Sequence, residues 1–245
     1  MLELLSQGQP LLAFFASARA GAANDEVACV HLGRMRPRST QAQAPQKHRP
    51  AKTASSSVIG HPAHEIRIIG GLWKRSKLKV LDKPGLRPTP DRVRETLFNW
   101  LGQDLSGWQC VDAFAGTGVL GFEAASRGAA QVLMWEQDAA LVAQLTDSKV
   151  RLKASMVQVQ RGNAVNGLQH TAPGSMNLVF LDPPFEGELF APALQAAAQA
   201  VAPGGWVYLE APVLWTDEQL APWFLKVQRH MKAGAVHAHL LQKMA

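Results

Sequence analysis

The chain is poor in cysteine and lacks any long uninterrupted apolar run. Among its 245 residues there are two cysteines, Cys29 and Cys110, far apart and without metal-ligand spacing. That excludes a disulfide framework and a zinc site, and it fits a reducing, cytoplasmic setting. Cys110 lies in an apolar, strand-like run and reads as a small core residue. No stretch approaches the roughly 18 apolar residues of a membrane span. The opening, Met1 to Ala23, has no basic n-region and is interrupted by Gln7, Gln9 and Pro10, which makes a poor signal peptide. Internal repeats are missing, and so is sustained periodicity up to about residue 63. From Arg34 to Ser57 the composition is Pro, Gln, Ala, Ser, Lys and Arg, which buries too little surface to offset the entropy of ordering. Residues 1–64 are therefore expected to be a disordered extension or to precede the true start codon, with Met35 as an internal candidate.

What is present is a hydrophobic fraction of 47%, enough for a sizeable core, and a net charge of +6 that is unevenly spread. Residues 1–94 hold 16 Lys/Arg against 6 Asp/Glu, a balance of +10, whereas the remaining 9 and 13 give −4. A basic segment ahead of a mildly acidic domain suggests a polyanion-facing extension joined to a catalytic or binding core. Three segments follow: the N-terminal 1–64, a basic hairpin and helix over 65–104, and a main domain over 105–245.

Order is expected to begin near Glu65. Ile66-Arg67-Ile68-Ile69, a Gly70-Gly71 turn or bulge, and Leu72-Trp73 onward to Leu78-Lys79-Val80 read as two strands. Lys74, Arg75, Lys77 and Lys79 crowd that hairpin. Thr89 as cap, Pro90 at the first helical position and Asp91 in the first turn then start a helix with Val93, Leu97, Trp100 and Leu101 on its buried stripe. Beyond Trp108 strands and helices alternate. The strands are Gln109–Phe114, Gln131–Glu136, Val157–Arg161, Met176–Asp182 and Gly205–Glu210; the helices are Leu120–Arg127, Asp138–Ala154 and Leu189–Val201. A short helix after Thr216 and a hairpin formed by Leu225–His230 and Val236–Leu241 close the chain. The pattern predicts an α/β fold: a seven-stranded, doubly wound, mostly parallel sheet with an antiparallel last pair.

Two stretches carry chemistry. Asp112-Ala113-Phe114-Ala115-Gly116-Thr117-Gly118-Val119-Leu120-Gly121 follows the first strand of the alternating region and opens a helix. Its glycines fit G-x-G-x-x-G, a pattern that dinucleotide enzymes share. Glu136 ends the next strand, 20 residues after Gly116, where a carboxylate can accept both hydroxyls of a ribose. Asp182-Pro183-Pro184-Phe185 leaves an apolar strand at a point where two prolines force the backbone out of the sheet. It offers a carboxylate, a rigid carbonyl and an aromatic ring at the strand end where α/β proteins bind ligands. That suits gripping a planar amine better than hydride transfer. An NAD-dependent dehydrogenase and a non-catalytic nucleic-acid-binding module are the competing classes, and methylation of another base or a protein amide is the nearest rival.

Asp112-x-Phe114-x-Gly116-x-Gly118 together with Asp182-Pro183-Pro184-Phe185 resembles the class I S-adenosylmethionine-dependent amino-methyltransferases. Arg67-Ile68-Ile69-Gly70-Gly71 and Leu86-Arg87-Pro88-Thr89-x-Asp91-Arg92-Val93-Arg94-Glu95-Thr96-Leu97-Phe98-Asn99-Trp100 narrow the likeness. They resemble the RsmD family of 16S ribosomal RNA guanine-N2 methyltransferases, which act on guanine 966 of that RNA. The resemblance runs from about Glu65 to the C-terminus. It implies that Asp112, Phe114, Ala115, Gly116, Thr117 and Gly118 line the methionine end of S-adenosylmethionine. Glu136 and Gln137 would hold the ribose, and Asn163-Ala164 the adenine edge, where the family more often has an acid than Asn163. Asp182 and the Pro183 carbonyl would take the two N2 hydrogens of the guanine, beside Pro184, with Phe185 stacked on the ring. Arg67, Trp73, Lys74, Arg75, Lys77, Arg87, Thr89, Arg92 and Arg94 form the candidate RNA-facing set, ordinary surface charges being the alternative for the cations among them. The implied partner is 16S rRNA or an assembling small subunit, met by a monomer without a metal or a membrane.

Overall fold

A computed structural model describes residues 64–185 and 188–245. The expectations for the first 63 residues lie outside the described residues. Among those described, no helix is long and apolar enough to cross a membrane.

The predicted sheet is present. Strands β3 (Gln109–Asp112), β4 (Gln131–Glu136), β5 (Val157–Arg161), β6 (Met176–Leu181) and β7 (Val201–Ala211) pair in parallel. The terminal hairpin, β8 (Leu225–Ala233) with β9 (Val236–Lys243), adds antiparallel through β9. The order across the sheet is β5-β4-β3-β6-β7-β9-β8. The central strands β3 and β6 are short apolar runs covered on both faces and read as continuous, whereas the edge strand β5 (Val-Gln-Val-Gln-Arg) alternates. Ahead of them, β1 (His64–Arg67) and β2 (Lys77–Val80) form a separate antiparallel pair.

Register decides which side chains share a face. Cys110 pairs with Val132 and Leu178, Asp112 with Met134 and Phe180, and Phe180 with Tyr208. These residues form one face, covered by helices α1 (Asp91–Trp100), α2 (Val119–Ser126) and α3 (Ala139–Leu152). Val111, Val179, Leu181, Val207 and Leu209 point the other way. Helices α4 (Ala164–Gln169) and α5 (Phe190–Ala200) bury that second face with them. A four-residue helix α6 (Asp217–Leu220), with Thr216 and Gln219 as a reciprocal capping box, leads into the hairpin.

Three local expectations are corrected. Leu72-Trp73 does not start a strand: Gly71 (φ +72°) and Arg75 (φ +70°) reverse the chain, so residues 71–75 form turns. Thr89 does not cap α1. The helix begins at Asp91 after Pro90 without a side-chain cap bond, because Thr89 is spent elsewhere. The short helix α4 was not foreseen, since Ala-Val-Asn-Gly-Leu-Gln has weak helix propensity. It is held instead by Asn163, whose side chain accepts from the Asn166 N–H at 3.0 Å, and by Trp135, which fills the space over Gly167.

The turn at Gly71 gives a testable consequence. A Cβ there would sit 1.8 Å from the Ser126 carbonyl oxygen, in a left-handed conformation as well. That contact is backbone on α2 and cannot move aside. Gly71→Ala is expected to cost about 2–3 kcal/mol, read as a lowered midpoint in urea unfolding with an unchanged slope.

Candidate active site

The carboxyl ends of four neighbouring strands each present an acid to the same face. Asp112 ends β3 and Glu136 ends β4, in step with Met134, its partner's neighbour on that face. Asp182 follows β6 two residues after Phe180, and Glu210 lies in β7 two residues after Tyr208. Three of these were legible as strand-final carboxylates; Glu210 was not singled out. Its signal was available: Leu-Glu-Ala-Pro closes a strand in the same way as Leu-Asp-Pro-Pro.

Each acid is held differently. Asp112 is buried, and its Oδ2 accepts the Gly121 N–H at 2.9 Å. Burial pushes its carboxyl up to about 7; the Gly121 bond opposes this and the nearby Glu136 charge adds to it. Gly121 is the third glycine of the loop pattern, and a Cβ there would meet Met134 at 2.5 Å and the Asp112 side chain at 3.1 Å. Its smallness is what lets α2 approach the strand. Glu136 accepts the Gly116 N–H at 2.9 Å on Oε2 and the Asp138 N–H at 2.8 Å on Oε1. It therefore fixes the glycine loop directly, leaving one lone pair on each oxygen for a ligand.

The loop itself is shaped by two left-handed glycines, Gly116 (φ +52°) and Gly118 (φ +76°). Gly118 also sits where a Cβ would collide with Leu145. Ala115 and Thr117 are buried, Phe114 is half-buried, and the Ala115 N–H bonds to the Trp135 carbonyl at 3.0 Å. Gln137 is exposed next to Glu136. Exposed Asn163 and buried Ala164 follow β5 at the same edge of the sheet.

Across from the loop, the Asp182 corner keeps Pro183 buried and Pro184 exposed. Burial, then Glu210, then Asp112 push the Asp182 carboxyl well above the usual range. Phe185 is 41% exposed, with its ring 6.4 Å from Phe190, which in turn meets Trp215 at 6.3 Å. One face of an aromatic array is thus open beside a carboxylate.

Residues 81–90, between β2 and α1, run along this edge as a strap. Leu81 N–H reaches Gln144 in α3 at 3.2 Å, and Lys83 pairs with Asp138 at 2.5 Å. Leu86 lies against Gly116, and Thr89 Oγ1 donates to Glu210 Oε1 at 2.8 Å. The strap was read only as a loop ahead of a helix, because its hydrogen-bonded anchors lie 55 to 121 residues away in sequence.

The candidate RNA-facing residues separate into two groups. Arg67, Lys74, Arg75, Lys77, Arg87 and Arg92 are exposed, and Trp73 is half-buried against the core. Lys77 is paired with Glu65 at 2.5 Å. Arg94 and Thr89 are corrections. Arg94 is fully buried, bonded to Glu123 Oε1 (2.7 Å), Asp91 Oδ1 (2.5 Å), and the carbonyls of Arg67 (2.9 Å) and Thr89 (3.1 Å). A fully buried guanidinium with four of its five N–H donors taken by the protein does not face a phosphate. Thr89 is buried as well, its hydroxyl committed to Glu210. Among the described residues there is no cluster able to hold a metal ion.

Residues 66–242 match the family described as Conserved hypothetical protein 95. The chain is 41% identical over 186 residues to ribosomal RNA small subunit methyltransferase D of Escherichia coli K12, covering 74% of this chain and 91% of that protein. It is 42% identical over 151 residues to the Haemophilus influenzae protein of the same name, covering 60% and 78%. The solved structure of Escherichia coli yhhF superposes with a TM-score of 0.66 at 38% identity, over 74% of this chain and 99% of that one.

Proposed function

Because the chain belongs to this family, that of ribosomal RNA small subunit methyltransferase D, we propose that it methylates the exocyclic N2 amine of a guanine in 16S rRNA, guanine 966, using S-adenosylmethionine. The observation that carries the reading is the set of four strand-end acids on one face, closed on one side by a glycine cradle and on the other by an Asp-Pro-Pro-Phe corner.

The cradle and donor set suit the cofactor. Gly116 and Gly118 give the loop its left-handed turns, and the acids offer negative charge to a cationic ligand. Glu136 would hold the ribose, with Gln137 beside it; Asn163 and Ala164 would meet the adenine edge. Asp112, Phe114, Ala115 and Thr117 would line the methionine end. When bound, S-adenosylmethionine supplies a methyl group on a sulfonium, already an excellent leaving group. The chain's own task is therefore alignment and exclusion of water. Asp182 and the Pro183 carbonyl accept the two N2 hydrogens, which turns the amine lone pair toward the methyl, and Phe185 stacks on the base. One proton must leave N2 as the methyl arrives, and Asp182 is placed to take it. The target guanine reaches such a corner only when unstacked, as bases in RNA loops can be.

Residues 65–104 form the RNA-facing part of this reading. Lys74, Arg75, Arg87 and Arg92 serve phosphates, with Arg67, Lys77 and Trp73 beside them. Changing Lys74 and Arg75 together to alanine is expected to raise the apparent KM for RNA about tenfold at low salt and to flatten its salt dependence by about two phosphate contacts. S-adenosylhomocysteine affinity should stay the same. A reaction insensitive to salt would contradict the assignment. The function itself is tested by methyl-tritiated cofactor and rRNA from a strain lacking the enzyme. Label mapping to a single guanine N2 is the expected result, and label elsewhere or none sinks the reading.

A further inference from the structure

Glu210 is a buried carboxylate that the reaction above leaves unused. It stands beside the residue that does the work. Leu181 pairs with Leu209, so Asp182 and Glu210 follow side by side on one face, with strands about 4.8 Å apart. Their surroundings differ sharply. Burial pushes the Glu210 carboxyl up, and three groups pull it back: the hydroxyls of Thr89 (2.8 Å) and Tyr208 (2.9 Å), both donating to Oε1, and the Arg87 cation. Asp182 faces Glu210 from β7 and Asp112 from β3, and Asp112 in turn faces Glu136 of β4. Among the described residues no hydrogen-bond donor supports Asp182. Two adjacent carboxylates resist ionising together, and the donors decide which ionises first. Here that is Glu210.

We propose that Glu210 is a positioning residue for methyl transfer: fixed as a carboxylate by Thr89 and Tyr208, it makes Asp182 a stronger base, so that the proton released from the target amine passes to Asp182. This rests on the reading of Asp182 as the acceptor of the amine hydrogens. The balance is simple: N2 loses one proton, the Asp182 carboxylate gains it, and solvent receives it when the product leaves. The upward push on Asp182 from burial and from Glu210 runs in the required direction. Thr89 also makes Glu210 part of the strap that carries Arg87, so the RNA-facing loop and the base are joined through one side chain.

The test is the pH dependence of single-turnover methyl transfer by the full chain with saturating cofactor. A negative neighbour raises the pKa of Asp182, and removing that charge lowers it. Glu210→Gln is therefore expected to move the acid limb to lower pH by about one unit, a tenfold change in proton concentration. Glu210→Asp keeps the charge and should hold the limb near its wild-type place. Binding of S-adenosylhomocysteine, measured on each variant, is the folding control. An unmoved limb in Glu210→Gln overturns the proposal, and so does an equal displacement in both variants. Should Glu210→Gln fail the control, Thr89→Val removes one donor from Glu210 and must shift the limb in the same direction by less; no shift there overturns it too. Absence of methyl transfer by the wild-type chain would instead sink the underlying reading, and it would appear before any variant was made.

Discussion

Asp182→Ala is expected to bind S-adenosylhomocysteine as tightly as the wild type and to transfer methyl about 10²–10⁴-fold more slowly. The two effects separate because, in the proposed reading, Asp182 would meet the amine while the cofactor would be held by the glycine loop and Glu136. Single-turnover rates with saturating cofactor and RNA measure the loss directly. Near-wild-type turnover would remove Asp182 from the mechanism.

The same position carries an opposite prediction for stability. The folded protein holds Asp182 well above its ordinary value, through burial and the nearby Glu210 and Asp112 charges. Such a carboxyl binds its proton more tightly folded than unfolded. Stability therefore falls as pH rises from the ordinary carboxylate range through the raised folded value, and nothing is lost below that range. Asp182→Asn keeps the shape without the charge. Its Tm should exceed that of the wild type at about pH 8, and the gain should shrink to nothing near about pH 4, where both forms are neutral. A residue that is costly when charged, and in the proposed reading needed for methyl transfer, would trade stability for activity.

Most of the sheet was legible because four of the five parallel strands are short apolar runs stopped by an acid, β5 being the exception. The acids were legible for the same reason, yet Glu210 was passed over. Its meaning depends on the pairing of Leu181 with Leu209, and register between distant strands is not written in either strand alone. Arg94 failed in a complementary way. It stands among Arg87 and Arg92 with nothing local to distinguish it. Partners distant in sequence, Glu123 of α2 across 29 residues and the Arg67 carbonyl across 27, turn it inward. The turn at 71–75 misled because Leu72-Trp73 looks like the start of a strand. Gly71 instead places Leu72 N–H against the Ser126 carbonyl at 2.6 Å and leaves the Leu72 side chain 78% exposed.

Glu123→Ala should be among the most damaging single changes in the described chain. Glu123 lies within α2, fully buried, and gathers three hydrogen-bond donors, the N–H groups of Ile69 (2.5 Å) and Gly70 (3.3 Å) and Arg94 Nη1 (2.7 Å), with Arg127 Nε beside it as an ion pair at 3.4 Å. Burial pushes its carboxyl up while the two amides and two arginines pull it back. Removing it leaves two buried arginines near one another, and a guanidinium cannot shed its charge. Arg94 keeps only Asp91, whose side chain is 61% exposed, as an ionic partner. A loss of about 3–5 kcal/mol is expected, a large share of the roughly 5–15 kcal/mol that holds a domain folded. Arg94→Met should cost less. Glu123 would still have Arg127 and two amides, and its raised pKa gives it a second escape, protonation. Urea unfolding of the two variants decides the order. Equal losses would mean that the network is held by its geometry and not by the inability of arginine to neutralise itself. Because Glu123 ties the Ile69–Gly70 turn and α1 to α2, residual folded Glu123→Ala should also lose affinity for RNA before it loses affinity for S-adenosylhomocysteine.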